Sequence, residues 1–233
     1  MGLNIVVGIL IGAEEDYADD VRQCFAVIQG WLARTGAGQW AEPDLGEEDD
    51  LEYEAWGYRG VHTLRRVAVH LAATGALPPP LRHASEATGD RLLKQAYASG
   101  PPHSAGPFDH LVWHSDCDGY YVPVDFEQVI ADDSIAGGYL GSSVRLLAET
   151  RRIAGVLGLP EDLDPESEEV FATCGREIPG AVGWQRYGVE SYTCLQLIRA
   201  AKHSVATGAA IALAAPTCST RCSTRNCPGT PRH

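Results

Sequence analysis

Apolar and polar positions along the chain alternate between a helical period and a strand period, which predicts a mixed architecture. Asn4–Ile11 (NIVVGILI) is rich in β-branched residues and reads as a buried strand. Over Tyr17–Arg34, Val21, Phe25, Ile28 and Leu32 recur at helical spacing, and Gly36 and Gly38 end the helix. Tyr58–Ala73 repeats the pattern with Val61, Leu64, Val67, Ala68 and Leu71, closed by Gly75 and three prolines at 78–80. Gly89–Ser99 predicts a short third helix. Ser142–Leu157 predicts another, capped by Ser142 or Ser143 and stopped by Gly158-Leu159-Pro160. Val189–Ala214 predicts the last and longest helix, with a stripe of Cys194, Leu197, Ile198, Ala201, Val205, Gly208 and Ala212. Glu42–Glu54, with eight acids in thirteen residues, and Glu161–Glu169 read as solvated acidic loops.

Phe108–Phe126 (FDHLVWHSDCDGYYVPVDF) stands apart. Two alternating segments flank a DCDG turn, the signature of a β-hairpin. One face collects Leu111, Trp113, Tyr120, Val122, Val124 and Phe126, which suits a core. The other collects His110, His114, Asp116, Tyr121 and Asp125. In a four-residue-turn register His114 faces Tyr121 and His110 faces Asp125; in a two-residue register Asp116 faces Tyr121. An Asp beside a His would orient the imidazole and raise its basicity. These five residues are the catalytic candidates, and a plain solvent face of an antiparallel sheet is the alternative. Two histidines four apart on one strand lie about 13 Å apart, too far to share a metal by themselves. The DCDG segment is explained by turn chemistry rather than by an ion loop. No metal or cofactor is expected.

Taken together these elements predict one α+β domain over residues 1–215. A small, mostly antiparallel sheet, made from the N-terminal strand and the central hairpin, would pack against four to five helices. Pro216–His233, rich in Cys, Arg, Thr and Pro, reads as a disordered tail.

Charge narrows the function classes. The formal net charge is −13, with +3 in the last 18 residues and therefore −16 in the rest. Nucleic-acid binding through a broad basic surface is excluded on that ground. A basic or mixed-charge protein partner is favoured, and a small-molecule ligand remains open. No membrane segment or export leader is visible, so the cytoplasm is the expected location. His62 and Arg66 on the second predicted helix, and Arg199 and His203 on the last, lie opposite the apolar stripes. With Glu190 they are ligand-binding candidates if those polar stripes line a groove against the hairpin.

The segments HSDCDGYYVPVDF, GSSVRLLAE and WQRYGVESYTCLQLIRAAKHSVATGAAIA resemble a family of bacterial proteins, chiefly actinobacterial. The resemblance spans about residues 1–214 and brings no reaction, cofactor or ligand with it. By analogy of size and charge with small acidic proteins of such bacteria, the leading expectation is a cytoplasmic binding protein of the immunity type. The alternative is a hydrolase-type enzyme using the His/Asp/Tyr face, with or without a metal.

Overall fold

The computed structural model describes residues 3–46, 51–101, 104–116, 118–175 and 178–214. The tail expected to be disordered over 216–233 and the thiol of Cys117 lie outside the described residues. Strand β1 (Leu3–Val7) ends where Gly8 takes a φ of 85°, so it is shorter than the apolar run that announces it. Helix α1 (Glu15–Thr35) follows and stops at the left-handed Gly36. Edge strand β2 (Leu51–Ala55) leads into α2 (Gly57–Thr74). After α3 (Arg91–Ser99) comes a single helical turn, α4 (Asp109–Val112). Strands β3 (Tyr120–Val122), β4 (Ile130–Ala131) and β5 (Tyr139–Ser142) precede α5 (Ser143–Leu157), which Ser142 caps. Helices α6 (Glu168–Gly175) and α7 (Gly188–Thr207) lead to β6 (Ile211–Ala214).

The fold class is α+β, with one six-stranded sheet in the order β2-β1-β6-β3-β5-β4. All pairings are antiparallel except β3 with β5. Helices cover both faces of the sheet. On one side Val21, Phe25, Ile28 and Leu32 of α1 pack against Tyr120, Val122, Leu140 and Ala212. On the other, α2, α5 and α7 bury Leu3, Ile5, Ile211 and Leu213. Alternation along β6 sends Ile211 and Leu213 to one layer and Ala212 to the other.

Four elements differ from the sequence reading. The central hairpin is absent: only Tyr120–Val122 of it is a strand, and residues 109–112 are a helical turn. That turn forms because the Glu149 carboxylate, from α5, accepts from the backbone N–H groups of His110 (3.1 Å) and Leu111 (2.7 Å). A distant residue therefore supplies the cap, which local alternation cannot reveal. The last helix ends at Gly208, with φ 86°, and the alanine-rich continuation crosses the sheet as its central strand β6. Alanine favours helix, but filling the gap between β1 and β3 overrides that weak preference. The supposed acidic loop before α2 contains edge strand β2, and the second acidic loop runs into α6.

Candidate functional site

The segment expected to present chemistry turns inward. His110 and His114 are 1% and 4% exposed. The Nε2–H of His110 donates to the Glu127 carbonyl (3.2 Å), and its Nδ1 accepts from the Ser142 N–H (2.9 Å). His110 thus joins α4 to β5 through Nδ1 and to the loop between β3 and β4 through Nε2. His114 lies between the carbonyls of Ser115 and Tyr120, both 3.1 Å from a ring nitrogen. Its ring stacks on Tyr121 at 3.9 Å with a 9° interplanar angle. Burial lowers both imidazoles to about 4, so they are neutral at pH 7. Tyr121 donates to the His110 carbonyl (3.0 Å), and burial raises its phenol. Asp125 sits on the surface, paired with Arg145 rather than with His110. The expected polar face of a hairpin is therefore corrected to an interior network that ties α4, β3 and β5 together.

Two arginines of α2 are also interior. Arg65 is 1% exposed; its Nε donates to the Leu111 carbonyl and its Nη2 to the His114 carbonyl, each at 2.8 Å. Its Nη1 pairs with Asp116. His62 places Nε2 3.2 Å from the other Asp116 oxygen and Nδ1 2.8 Å from the Tyr97 hydroxyl. The carboxyl of Asp116 is held far below its ordinary range by Arg65 and His62, against the opposing effect of burial. Arg66 is bound by Asp90 (2.9 Å), which also meets His70 and caps α3 through the N–H groups of Leu92 and Leu93. Structure thus brings His62 to Asp116, and engages Arg66 in holding α2 to α3.

Arg199 and His203 lie apart from that network. Arg199 pairs with Asp164 at 3.0 Å, and His203 is 3.4 Å from the Tyr53 hydroxyl of β2. Glu190, in the first turn of α7, is buried, and its Oε1 accepts no hydrogen bond. Glu190 lies on the wall of an open cleft of about 940 Å³ that Arg59, Arg82, Arg186 and Cys174 also line. No group of three or more His, Cys, Asp or Glu among the described residues could hold a metal ion. No helix among them is long and apolar enough to cross a membrane.

The outside of the molecule carries carboxylates in short rows. Glu52 and Glu54 alternate with Tyr53 on edge strand β2, so both project from one face about 7 Å apart. Asp162, Asp164 and Glu166 are exposed between α5 and α6, and Glu168 and Glu169 in the first turn of α6. Glu14, Glu15, Asp16 and Asp19 are exposed at the start of α1, where the helix dipole favours anions. Among the described residues, Glu52, Glu54, Asp162, Glu166, Glu168 and Glu169 form no ion pair, whereas Arg65 and Arg66 are buried. Each of these arginines is held by a carboxylate of its own, Asp116 and Asp90, so the two pairs leave the balance of surface charge unchanged. The strand-forming alternation in LEYEA was the local signal for the β2 pair, and the surrounding acid run masked it.

A family model described as "Putative DNA-mimic protein" matches residues 1–213. No curated protein and no solved structure matches the chain. The family match overturns both functional expectations drawn from sequence: it is neither an immunity-type nor a hydrolase family. Geometry supports dropping the hydrolase, since His110 spends both ring nitrogens on backbone groups and the single N–H of neutral His114 faces backbone carbonyls inside the core.

Proposed function

The chain belongs to the DNA-mimic family, and on that premise we propose that it occupies the DNA-binding surface of a basic protein, with its exposed carboxylates standing in for phosphates. The observation that carries this reading is the exposed carboxylates of Glu52, Glu54, Asp162, Glu166, Glu168 and Glu169, on β2 and around the start of α6, which form no ion pair among the described residues. Duplex DNA offers one charge per 1.7 Å of axis, and its partners gain much of their affinity by releasing counterions from that charge. A rigid protein surface with closely spaced carboxylates recruits the same basic patch by the same means. It also steers association at long range, because the field of a strongly acidic body reaches a cationic groove before contact. The partner is a protein and the chain itself binds no nucleic acid. Such a role places it in the compartment that holds DNA, the cytoplasm in a bacterium.

Elution from DNA-cellulose tests the proposal. Proteins from the native cells are retained on the resin, and the purified chain is applied at low salt. The chain is expected to release at least one basic protein that the variant Glu52→Gln/Glu54→Gln/Glu166→Gln/Glu168→Gln/Glu169→Gln does not. Release of nothing by the wild-type chain would overturn the reading.

A further inference from the structure

A groove of about 640 Å³ opens beside edge strand β2, lined by Glu54, Trp56, Tyr58, Arg59, Phe171 and Tyr192. Three of its rings form a cluster. Trp56 lies 5.8 Å from Phe171 and 5.4 Å from Tyr192, and Phe171 lies 5.5 Å from Tyr192. Tyr192 is buried, Trp56 half-buried, and Phe171 is 41% exposed, one of few large apolar side chains left in water. A single exposed phenylalanine is ordinary. One mounted on two further rings and ringed by carboxylates is a specific surface.

The carboxylates are placed around it from β2, from the loop before α6 and from α6 itself. Glu54 forms part of the wall, and Glu166 accepts from the Tyr192 hydroxyl at 3.2 Å. Glu168 precedes Phe171 by three residues on α6 and so shares its side of the helix. Burial, with Glu166 and Glu54 nearby, raises the Tyr192 phenol to about 12, which agrees with two anions converging on one ring system. The cation–π contacts among the described residues are Arg34 on Trp31 and Arg152 on Phe108, so none involves these three rings.

We propose that this groove receives an arginine side chain of the basic partner, its guanidinium over the Phe171 and Trp56 rings and its charge answered by Glu54. The partner's class rests on the DNA-mimic reading; the guanidinium chemistry rests on the groove. Arginine suits it better than lysine, because a planar, weakly hydrated guanidinium stacks on aromatic faces while an ammonium holds its water. Where its bases are unstacked, DNA offers a protein both phosphates and the π-faces of bases. Carboxylates alone would copy only the first, and the ring cluster supplies the second. Arg59 also lines the groove and is a cation that an incoming guanidinium must approach, which gives the proposal a variant of opposite sign.

Binding of nona-arginine and nona-lysine peptides to the full chain at low salt tests it, with the Trp56 indole N–H followed by NMR. Nona-arginine is expected to bind about two- to five-fold more tightly than nona-lysine and to shift the Trp56 resonance. Phe171→Ala is expected to abolish that preference while both peptides still bind. Glu54→Gln should weaken both, and Arg59→Ala should strengthen both. Equal affinity of the wild-type chain for the two peptides overturns the inference, as does a preference that survives in Phe171→Ala. Failure of the DNA-cellulose elution with the arginine preference intact removes the partner's class and leaves the groove's chemistry standing.

Discussion

Replacing Asp116 by Asn should destabilise the protein through a charge that never reaches the surface. Arg65 is fully buried and is held by two carbonyls at 2.8 Å and by the Asp116 carboxylate. Asp116 also meets His62 at 3.2 Å, so its carboxylate serves two donors from α2. Asn keeps one acceptor oxygen and loses the negative charge. A charge-assisted hydrogen bond contributes about 1.5–3 kcal/mol, and breaking a buried pair costs about 3–5 kcal/mol. The Asp116 side chain is 33% exposed, so water relieves part of that cost, and the expected loss is about 2–3 kcal/mol. For a chain of this size each kcal/mol lowers Tm by about 2–4 °C, giving a fall of roughly 4–12 °C. Urea denaturation should show a lower midpoint with an unchanged slope. Asp125→Asn, which breaks the exposed pair with Arg145, is the control and should cost less than about 1 kcal/mol. Equal effects of the two substitutions would refute the claim that Arg65 and Asp116 form an interior clamp.

Two further outcomes follow from the core. Gly141 faces Tyr121 across the parallel pairing of β3 and β5, and a Cβ there would lie 2.2 Å from the Tyr121 ring. Gly141→Ala should therefore cost about 1–3 kcal/mol, read by thermal melting, and a neutral result would contradict the packing of that ring. The depressed His110 and His114 imidazoles, at about 4 when folded against about 6.5 unfolded, contribute stability that is present above pH 6.5 and lost as pH falls towards 4. Glu149, raised to about 8 by burial, acts oppositely, its contribution fading as pH rises from about 4.3 to 8. Stability measured against pH should thus flatten between pH 6.5 and 4 in His110→Gln/His114→Gln, with the fall at lower pH left to Asp116 and Asp90, and its decline towards pH 8 should flatten in Glu149→Gln.

Helices with long apolar stripes were legible in the sequence, because their period depends on neighbours within a few turns. Val21, Phe25, Ile28 and Leu32 of α1, and Val61, Leu64 and Val67 of α2, are all buried as their spacing implies. Elements defined by distant partners were not. The turn at Asp109–Val112 depends on Glu149, and the strand at Ile211–Ala214 depends on a gap between β1 and β3. His110 and His114 drew notice as chemistry, yet a histidine also offers a rigid ring with two polar ends, which suits a buried bridge between backbone groups. The acidic surface was legible as charge and not as shape. Glu52 and Glu54 gain their common direction only once β2 pairs with β1, and Phe171 gains its ring partners only when α6 packs beside α7 and Trp56.

Mutual exclusion between the chain and DNA tests the central claim most directly. A protein released from DNA-cellulose is mixed with a fluorescent duplex, and the duplex affinity is measured at rising concentrations of the chain. Occupation of the DNA-binding surface predicts that the apparent Kd for duplex rises in proportion to chain concentration. It also predicts that the chain's own affinity falls with salt along a steep log–log slope, as expected when carboxylates replace phosphates. A ternary complex, in which duplex affinity is unchanged while the chain is bound, would contradict the account.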